Sequence, residues 1–272
     1  MRRLLLGYCS VLLGVCFAPA VWAQNDLLPD LIINEDRLLS DARFVTDIVP
    51  GRLHLRLSNA TPNIGTGELR VRAAESSGNT QVIEQIISQD DGGSYAVEAG
   101  VFIFHASHDH FHVDDWAQFR IREVLPDDGV GDLLYVGVKT SFCLLDSLKY
   151  GDIPGTPATR VFDSCDDDEQ GISVGWEDLY DWTLPDQWID VTGITPGEYW
   201  LESEVDPEDH FLEVDDTNNV ARVKLVIEAN ALPEPDEIPL HPALPWVVTI
   251  VLFWCGLGAL RGGLRRRGRW AE

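Results

Sequence analysis

Along the middle of the chain, apolar and polar residues alternate at a period of two, and helical periods of three to four are scarce. This alternation predicts strands at residues 52–57, 68–72, 95–104, 110–124, 134–144, 198–205 and 220–227. In the second of these, Leu69 and Val71 share a face and Arg70 and Arg72 take the other. Turn-forming clusters punctuate the strands: Pro62-Asn63, Asp91-Gly92-Gly93, Asp128-Gly129, Pro196-Gly197 and residues 216–219. Many short strands at this spacing predict an all-β, antiparallel, sandwich-like single domain with long irregular loops. Residues 145–182 break the pattern, being rich in Asp, Gly and Pro with little periodicity. A loop of that length inside a compact domain is functional or needs pinning.

The two ends follow other rules. Residues 1–23 carry Arg2-Arg3, a short apolar run and Val21-Trp22-Ala23, the layout of a cleaved secretory signal. The folded domain is expected over residues 24–230. A Pro-rich acidic linker follows at 231–242, and then an apolar segment at 243–260 that is long enough to span a bilayer or act as a sorting signal. The Arg-rich tail at 261–272 sets that segment with its end in the cytoplasm and the domain outside. The expected location is therefore exported, periplasmic or at the cell surface, with attachment through the C-terminal segment.

Charge sharpens this picture. The 272-residue chain has a formal net charge of -25, from 45 acids against 20 basic residues. Seven of the basic residues sit at the two extreme ends, so the domain is more acidic than the total. Such a surface repels nucleic acid and anionic lipid and attracts cations, including amines and metal ions. Of five cysteines, Cys9 and Cys16 lie in the signal and Cys255 in the apolar segment. Cys143 and Cys165 remain in an oxidising setting, where a disulfide between them is the default. Closing a loop of that size stabilises by about 3 kcal/mol on the chain-entropy model.

Four histidines fall within eight residues: His105, His108, His110 and His112. The last three occupy i, i+2 and i+4, which puts their imidazoles on one face of a strand. A flat strand would hold the outer two Cα atoms about 13 Å apart, so the chain must bend there for one ion to be shared. Neutral imidazoles suit copper and zinc, and nitrogen donors favour Cu(II). Three protein ligands leave an open coordination position, as catalysis requires. His105 is out of phase and is expected nearby rather than as a ligand. His54, His210 and His241 are isolated.

An ordered series of motifs joins this strand. It opens with Leu28-Pro29-Asp30-Leu31, a strand around residues 54–57, and Asn63-Ile64-Gly65-Thr66-Gly67. His108-Asp109-His110-Phe111-His112 and Lys139-Thr140-Ser141-Phe142-Cys143-Leu144 follow, then Gln170-Gly171-Ile172-Ser173 with Gly175. Tyr180, Gln187-Trp188-Ile189-Asp190-Val191-Thr192, Pro196-Gly197-Glu198-Tyr199 and Asp216-Thr217-Asn218-Asn219-Val220 complete it. In this order and spacing the chain resembles the catalytic domain of lysyl oxidase over about residues 28–226.

The resemblance implies a copper-dependent amine oxidase with a lysyl tyrosylquinone made from its own chain. It implies copper ligands at His108, His110 and His112, and a crosslinked quinone from Lys139 and Tyr180. A primary amine, with peptidyl lysine among the candidates, would condense with the quinone, lose a proton from its α-carbon, and leave as an aldehyde. Molecular oxygen would restore the cofactor, with release of hydrogen peroxide and ammonia.

The chain departs from the family in places. Ser107 stands where animal members have a cysteine, and the usual partner of Cys143 is missing, so the resemblance also points to a Cys143–Cys165 bridge. Val138 replaces the histidine that precedes the family's lysine. Asp114, Asp115, Asp190 and Asp215 stand as unranked candidates for the general base. Two other readings stay open: an exported copper-binding protein of the same fold without the quinone, and a scaffold domain whose histidines bind metal only structurally.

Overall fold

The computed structural model describes residues 25–228, apart from 75–77 and 166–168. The expected signal, linker, apolar segment and Arg-rich tail lie outside the described residues. Among the described residues no helix is long and apolar enough to cross a membrane.

The chain is all-β and antiparallel, as the alternation predicts. It opens with β1 (Asp26–Leu27) and the one α-helix among the described residues, α1 (Glu35–Ser40), capped by the Asn34 side chain, which accepts from the Arg37 N–H. Then come β2 (Arg43–Val45), β3 (His54–Arg56), β4 (Asn59–Pro62), β5 (Leu69–Ala73), β6 (Thr80–Gln89), β7 (Ser94–His105) and β8 (His110–Val113). The second half holds β9 (Ala117–Leu125), β10 (Gly129–Val136), β11 (Leu148–Lys149), β12 (Glu169–Ile172), β13 (Trp176–Tyr180), β14 (Trp188–Asp190), β15 (Gly197–Val205) and β16 (Val220–Ile227).

These strands form four sheets. The largest runs β12-β5-β6-β7-β8, with β1 on β6. A second runs β10-β9-β15-β16, and two smaller ones run β11-β13-β4 and β14-β3-β2. One continuous core fills the space between them, with Leu55, Trp116, Phe119, Ile121, Phe142, Leu144, Ile172, Ile189 and Leu201 fully buried. Each such side chain removed from water contributes on the order of 2 kcal/mol, which offsets the cost of ordering so many short strands.

The Asp91-Gly92-Gly93 signal makes the turn of the β6–β7 hairpin, with Gly92 at φ 87°. The strand before it, β6, has no counterpart among the sequence-based strands. Its apolar residues come as the adjacent pairs Val82-Ile83 and Ile86-Ile87, so the sequence shows no period of two there, although Gln81, Ile83, Gln85 and Ile87 are buried in alternation.

Two predicted strands are divided. The one expected at 110–124 splits into β8 and β9, because Asp115 takes φ 49° and carries the chain from the largest sheet into the second. The one expected at 134–144 ends at Val136. Beyond it the chain makes only single bridges, Gly137 to Ile189 and Phe142 to Val113.

Residues 145–182 hold β11, β12 and β13, so they are less irregular than expected. The loop between β11 and β12 is pinned by buried Asp146, whose carboxylate accepts from the Val161, Phe162 and Ser173 N–H groups and the Ser173 hydroxyl. The turn from β12 to β13 needs a glycine at 175. Its φ is 76°, and a Cβ there would meet Thr156 Oγ1 at 2.1 Å.

On the second sheet, Glu202 is buried beneath three arginines. Arg120 and Arg122 donate to its Oε1 at 2.8 and 3.0 Å, and Arg222 donates to its Oε2. Burial raises the Glu202 pKa, but the three guanidiniums outweigh it and hold the carboxyl below its ordinary range.

Candidate metal and cofactor site

The histidines cluster at the β7–β8 hairpin. His105 closes β7 and pairs across the ladder with His110. The turn between them is tight: His108 and Asp109 both donate their N–H to the His105 carbonyl at 2.9 Å, and Asp109 takes φ 61°. His108 therefore lies in the turn, not on the strand, which corrects the expectation of three ligands along one strand. The turn supplies the bend that the 13 Å span demanded. His110 and His112 share a face of β8, and Phe111 turns the other way, against Phe104 at 5.3 Å and Phe102 at 6.2 Å.

Three ring nitrogens converge. His112 Nε2 lies 3.0 Å from His110 Nε2 and 3.2 Å from His108 Nδ1. With metal–nitrogen bonds of about 2.0 Å, two ligands of one ion sit about 2.8 Å apart at a right angle and about 3.3 Å apart at the tetrahedral angle. Both spacings to His112 fall between these limits, so His112 can share one ion with His108 or with His110, whose rings lie 5.5 Å apart; the three histidines whose donor atoms all lie within 4.8 Å of one another are His105, His108 and His112. Burial, then the charge of Lys139, push the His112 imidazole down to about 3, and the same causes lower His108. Both rings thus keep a free lone pair at neutral pH. His105 comes closer than expected: its ring stacks on His112 at 4.6 Å and on His108 at 5.1 Å.

Lys139 and Tyr180 meet beside this cluster. Lys139 is 7% exposed, and its Nζ lies 5.2 Å from the Tyr180 ring centroid and 5.0 Å from that of Phe142. Burial lowers the lysine's pKa against the opposing charges of Asp186 and Asp178. Tyr180 ends β13. Its hydroxyl accepts from the Cys143 N–H at 2.7 Å and donates to the Cys143 carbonyl at 3.1 Å. Phe142 packs edge-on against its ring at 4.6 Å. Burial, with Asp178 second, raises the phenol's pKa.

The segment 139–143 links the two groups of residues. Phe142 bridges to Val113, next to His112. Cys143 forms a disulfide with Cys165, and both sulfurs lie within 4.8 Å of a His110 ring nitrogen. Gln170 fastens the segment to the histidine strand: its Nε2 donates to the Phe111 carbonyl at 2.7 Å and its Oε1 accepts from the Leu144 N–H at 3.1 Å.

Three of the four aspartates considered as bases have other partners. Asp190 is engaged by Arg52 and Thr192, Asp215 by Thr217, and Asp114 has Asp115 and His210 as its charged neighbours. Sequence reasoning missed two others. Asp178 is buried two positions before Tyr180 on the same face of β13. Burial pushes its carboxyl well above the usual range, favouring its neutral form. Asp186 acts electrostatically on both His108 and Lys139. For Asp178 the signal was available in the alternation of Trp176 to Tyr180; Asp186 carried none. Beside Asp186, Gln187 is fully buried with neither side-chain polar atom bonded to protein.

The lysyl oxidase family model matches residues 94–232, about half of the chain. The chain is 36% identical to human lysyl oxidase homolog 1 over 123 residues, which is 45% of this chain and 20% of that protein. It is 29% identical to human lysyl oxidase homolog 3 over 188 residues, 69% of this chain and 21% of that protein. With lysyl oxidase homolog 2 of Xenopus laevis it shares 33% over 123 residues, 45% of this chain and 15% of that protein. The chain thus spans about a fifth or less of the length of these relatives. The matched region contains the histidine hairpin, Lys139, the disulfide and Tyr180, and the chain belongs to the lysyl oxidase family.

Proposed function

We propose that this protein is an exported copper-dependent amine oxidase whose cofactor is a lysyl tyrosylquinone built from Lys139 and Tyr180. The overall reaction consumes a primary amine, dioxygen and water, and yields an aldehyde, ammonia and hydrogen peroxide. The observation that carries the reading is the burial of the Lys139 amine 5.2 Å from the Tyr180 ring, beside three converging imidazoles.

His108, His110 and His112 would hold the copper. When bound, copper and the quinone supply the oxygen and electron-sink chemistry that side chains lack. The remaining work falls to the chain. Burial depresses the Lys139 pKa, so more of its amine is neutral and nucleophilic than in free lysine. The two bonds with Cys143 hold the Tyr180 hydroxyl in place, and Phe142 packs edge-on against its ring. Lys139 then needs only side-chain rotation to reach the ring. Asp178 and Asp186, the two acids nearest the lysine in electrostatic effect, replace the earlier candidates as groups to move a proton. The acidic surface would steer cationic amines or lysine-rich proteins toward the domain. Export follows from the expected signal, and the expected apolar segment at 243–260 would anchor the domain to a membrane.

The test is peptide mapping of full-length protein matured with copper in air. The expected result is one covalent species joining the fragments that carry Lys139 and Tyr180, absent from copper-free preparations. Recovery of both fragments unlinked after copper-loaded aerobic maturation would sink the proposal.

A further inference from the structure

We propose that His110, Cys143 and Cys165 form a second metal site, of one imidazole and two thiolates, that takes cuprous ion while the two cysteines are reduced. The inference rests on the copper reading above only in that His110 serves both sites.

The geometry is in place. A His110 ring nitrogen and the two sulfurs lie within 4.8 Å of one another, and Cys143 is fully buried. An ion with metal–sulfur bonds of about 2.3 Å would hold two thiolates about 3.8 to 4.0 Å apart. The Cα atoms are 5.9 Å apart, so side-chain rotation alone can open the sulfurs to that distance once their bond is broken. Soft thiolates select Cu(I), whereas the all-imidazole set suits Cu(II).

The neighbouring histidines make the second site possible. While His110 serves the sulfurs, His108 and His112 keep His105, and the donor atoms of these three also lie within 4.8 Å of one another. Two complete triads then stand side by side. In the oxidised protein the sulfurs offer no thiolate, and His110 is left to His112, whose Nε2 lies 3.0 Å from its own.

Chemistry links the two states. The chain is made with two thiols, and cuprous ion displaces their two protons to solvent on binding. A disulfide-bearing oxidant then joins the sulfurs. Two electrons pass from the thiolates to the oxidant's disulfide, which takes two protons from solvent and becomes a dithiol, and the copper keeps its charge and is left to the imidazoles. The site would therefore receive copper before the bridge closes. Its neighbour is the backbone of Cys143, which holds the Tyr180 hydroxyl.

The experiment titrates full-length protein anaerobically with Cu(I) against a chromogenic cuprous chelator. One sample is reduced with a phosphine, and one is left oxidised. The expected result is two ions per chain when reduced and one when oxidised. X-ray absorption should show a sulfur shell at about 2.3 Å in the reduced sample alone. The Cys143→Ser/Cys165→Ser variant should bind one ion under both conditions, and reduced His110→Asn should lose the second ion. One ion and nitrogen ligands in both samples would overturn this site while leaving the three-histidine reading intact. No binding in either sample would overturn both. Two ions in reduced His110→Asn would show thiols acting without the imidazole, and would also overturn it.

Discussion

Replacing Gln170 by methionine tests the junction between the histidine strand and the Lys139 segment. The two side chains have similar length, so the change leaves little cavity. What it removes is one donor to the Phe111 carbonyl and one acceptor for the Leu144 N–H, at 2.7 and 3.1 Å. The residue is 1% exposed, so water cannot replace either bond. A buried group stranded in this way costs about 1 to 3 kcal/mol, which gives about 1 to 5 kcal/mol for the pair once about 1 kcal/mol gained from a more apolar side chain is subtracted. Urea unfolding of copper-free, disulfide-intact protein measures this directly as a lower midpoint at unchanged slope. Phe111 sits between His110 and His112, so copper affinity should fall in the same variant, and the yield of the Lys139–Tyr180 crosslink with it. An unfolding free energy within about 0.5 kcal/mol of the parent would refute the reasoning, because it would mean that neither bond holds the junction together.

Other expectations follow from individual residues. Glu202→Gln should cost about 2 to 4 kcal/mol, because Arg120, Arg122 and Arg222 lose their shared carboxylate while keeping some contact with water. The folded pKa of Glu202 is lowered, so its contribution is complete above about 4.5 and fades as pH falls through the lowered value. The gap between parent and variant melting temperatures should narrow from pH 7 to pH 3, and a constant gap would contradict this. Lys139 has a lowered folded pKa, so the unfolded chain binds more protons between that value and 10.5, and stability contributed there rises with pH. Lys139→Met should flatten that rise in thermal melts, and crosslinking of the parent should speed up with pH below 10.5; a pH-independent crosslinking rate would argue against a neutral amine as the reacting form. His112→Ala should abolish tight copper binding in the oxidised protein while the fold survives by circular dichroism. Copper bound at parental affinity would remove His112 from the ligand set.

The sequence alone determined the strand character of the domain, the turn at Asp91-Gly92-Gly93, and the residues worth attention. Alternation and turn chemistry are local properties, so they survive without a structure. The histidine spacing, the lysine and the tyrosine were legible for the same reason: each sits in a short motif. Where local rules bent, the reading bent with them. The adjacent apolar pairs in β6 hid a strand, and positive φ at Asp109 and Asp115 moved His108 into a turn and cut one expected strand in two.

Only the tertiary structure decided which residues meet. Lys139 and Tyr180 are 41 positions apart in the chain, and their approach depends on β13 pairing with β4 while the segment after β10 bridges to the end of β8. Gln170, Asp178 and Asp186 gain their importance from what surrounds them, and no periodicity carries that information. The reason is physical: burial, desolvation and the sharing of one hydrogen-bonding group between distant strands are properties of a packed interior. They exist once the sheets close around the core and have no counterpart in the order of residues along the chain.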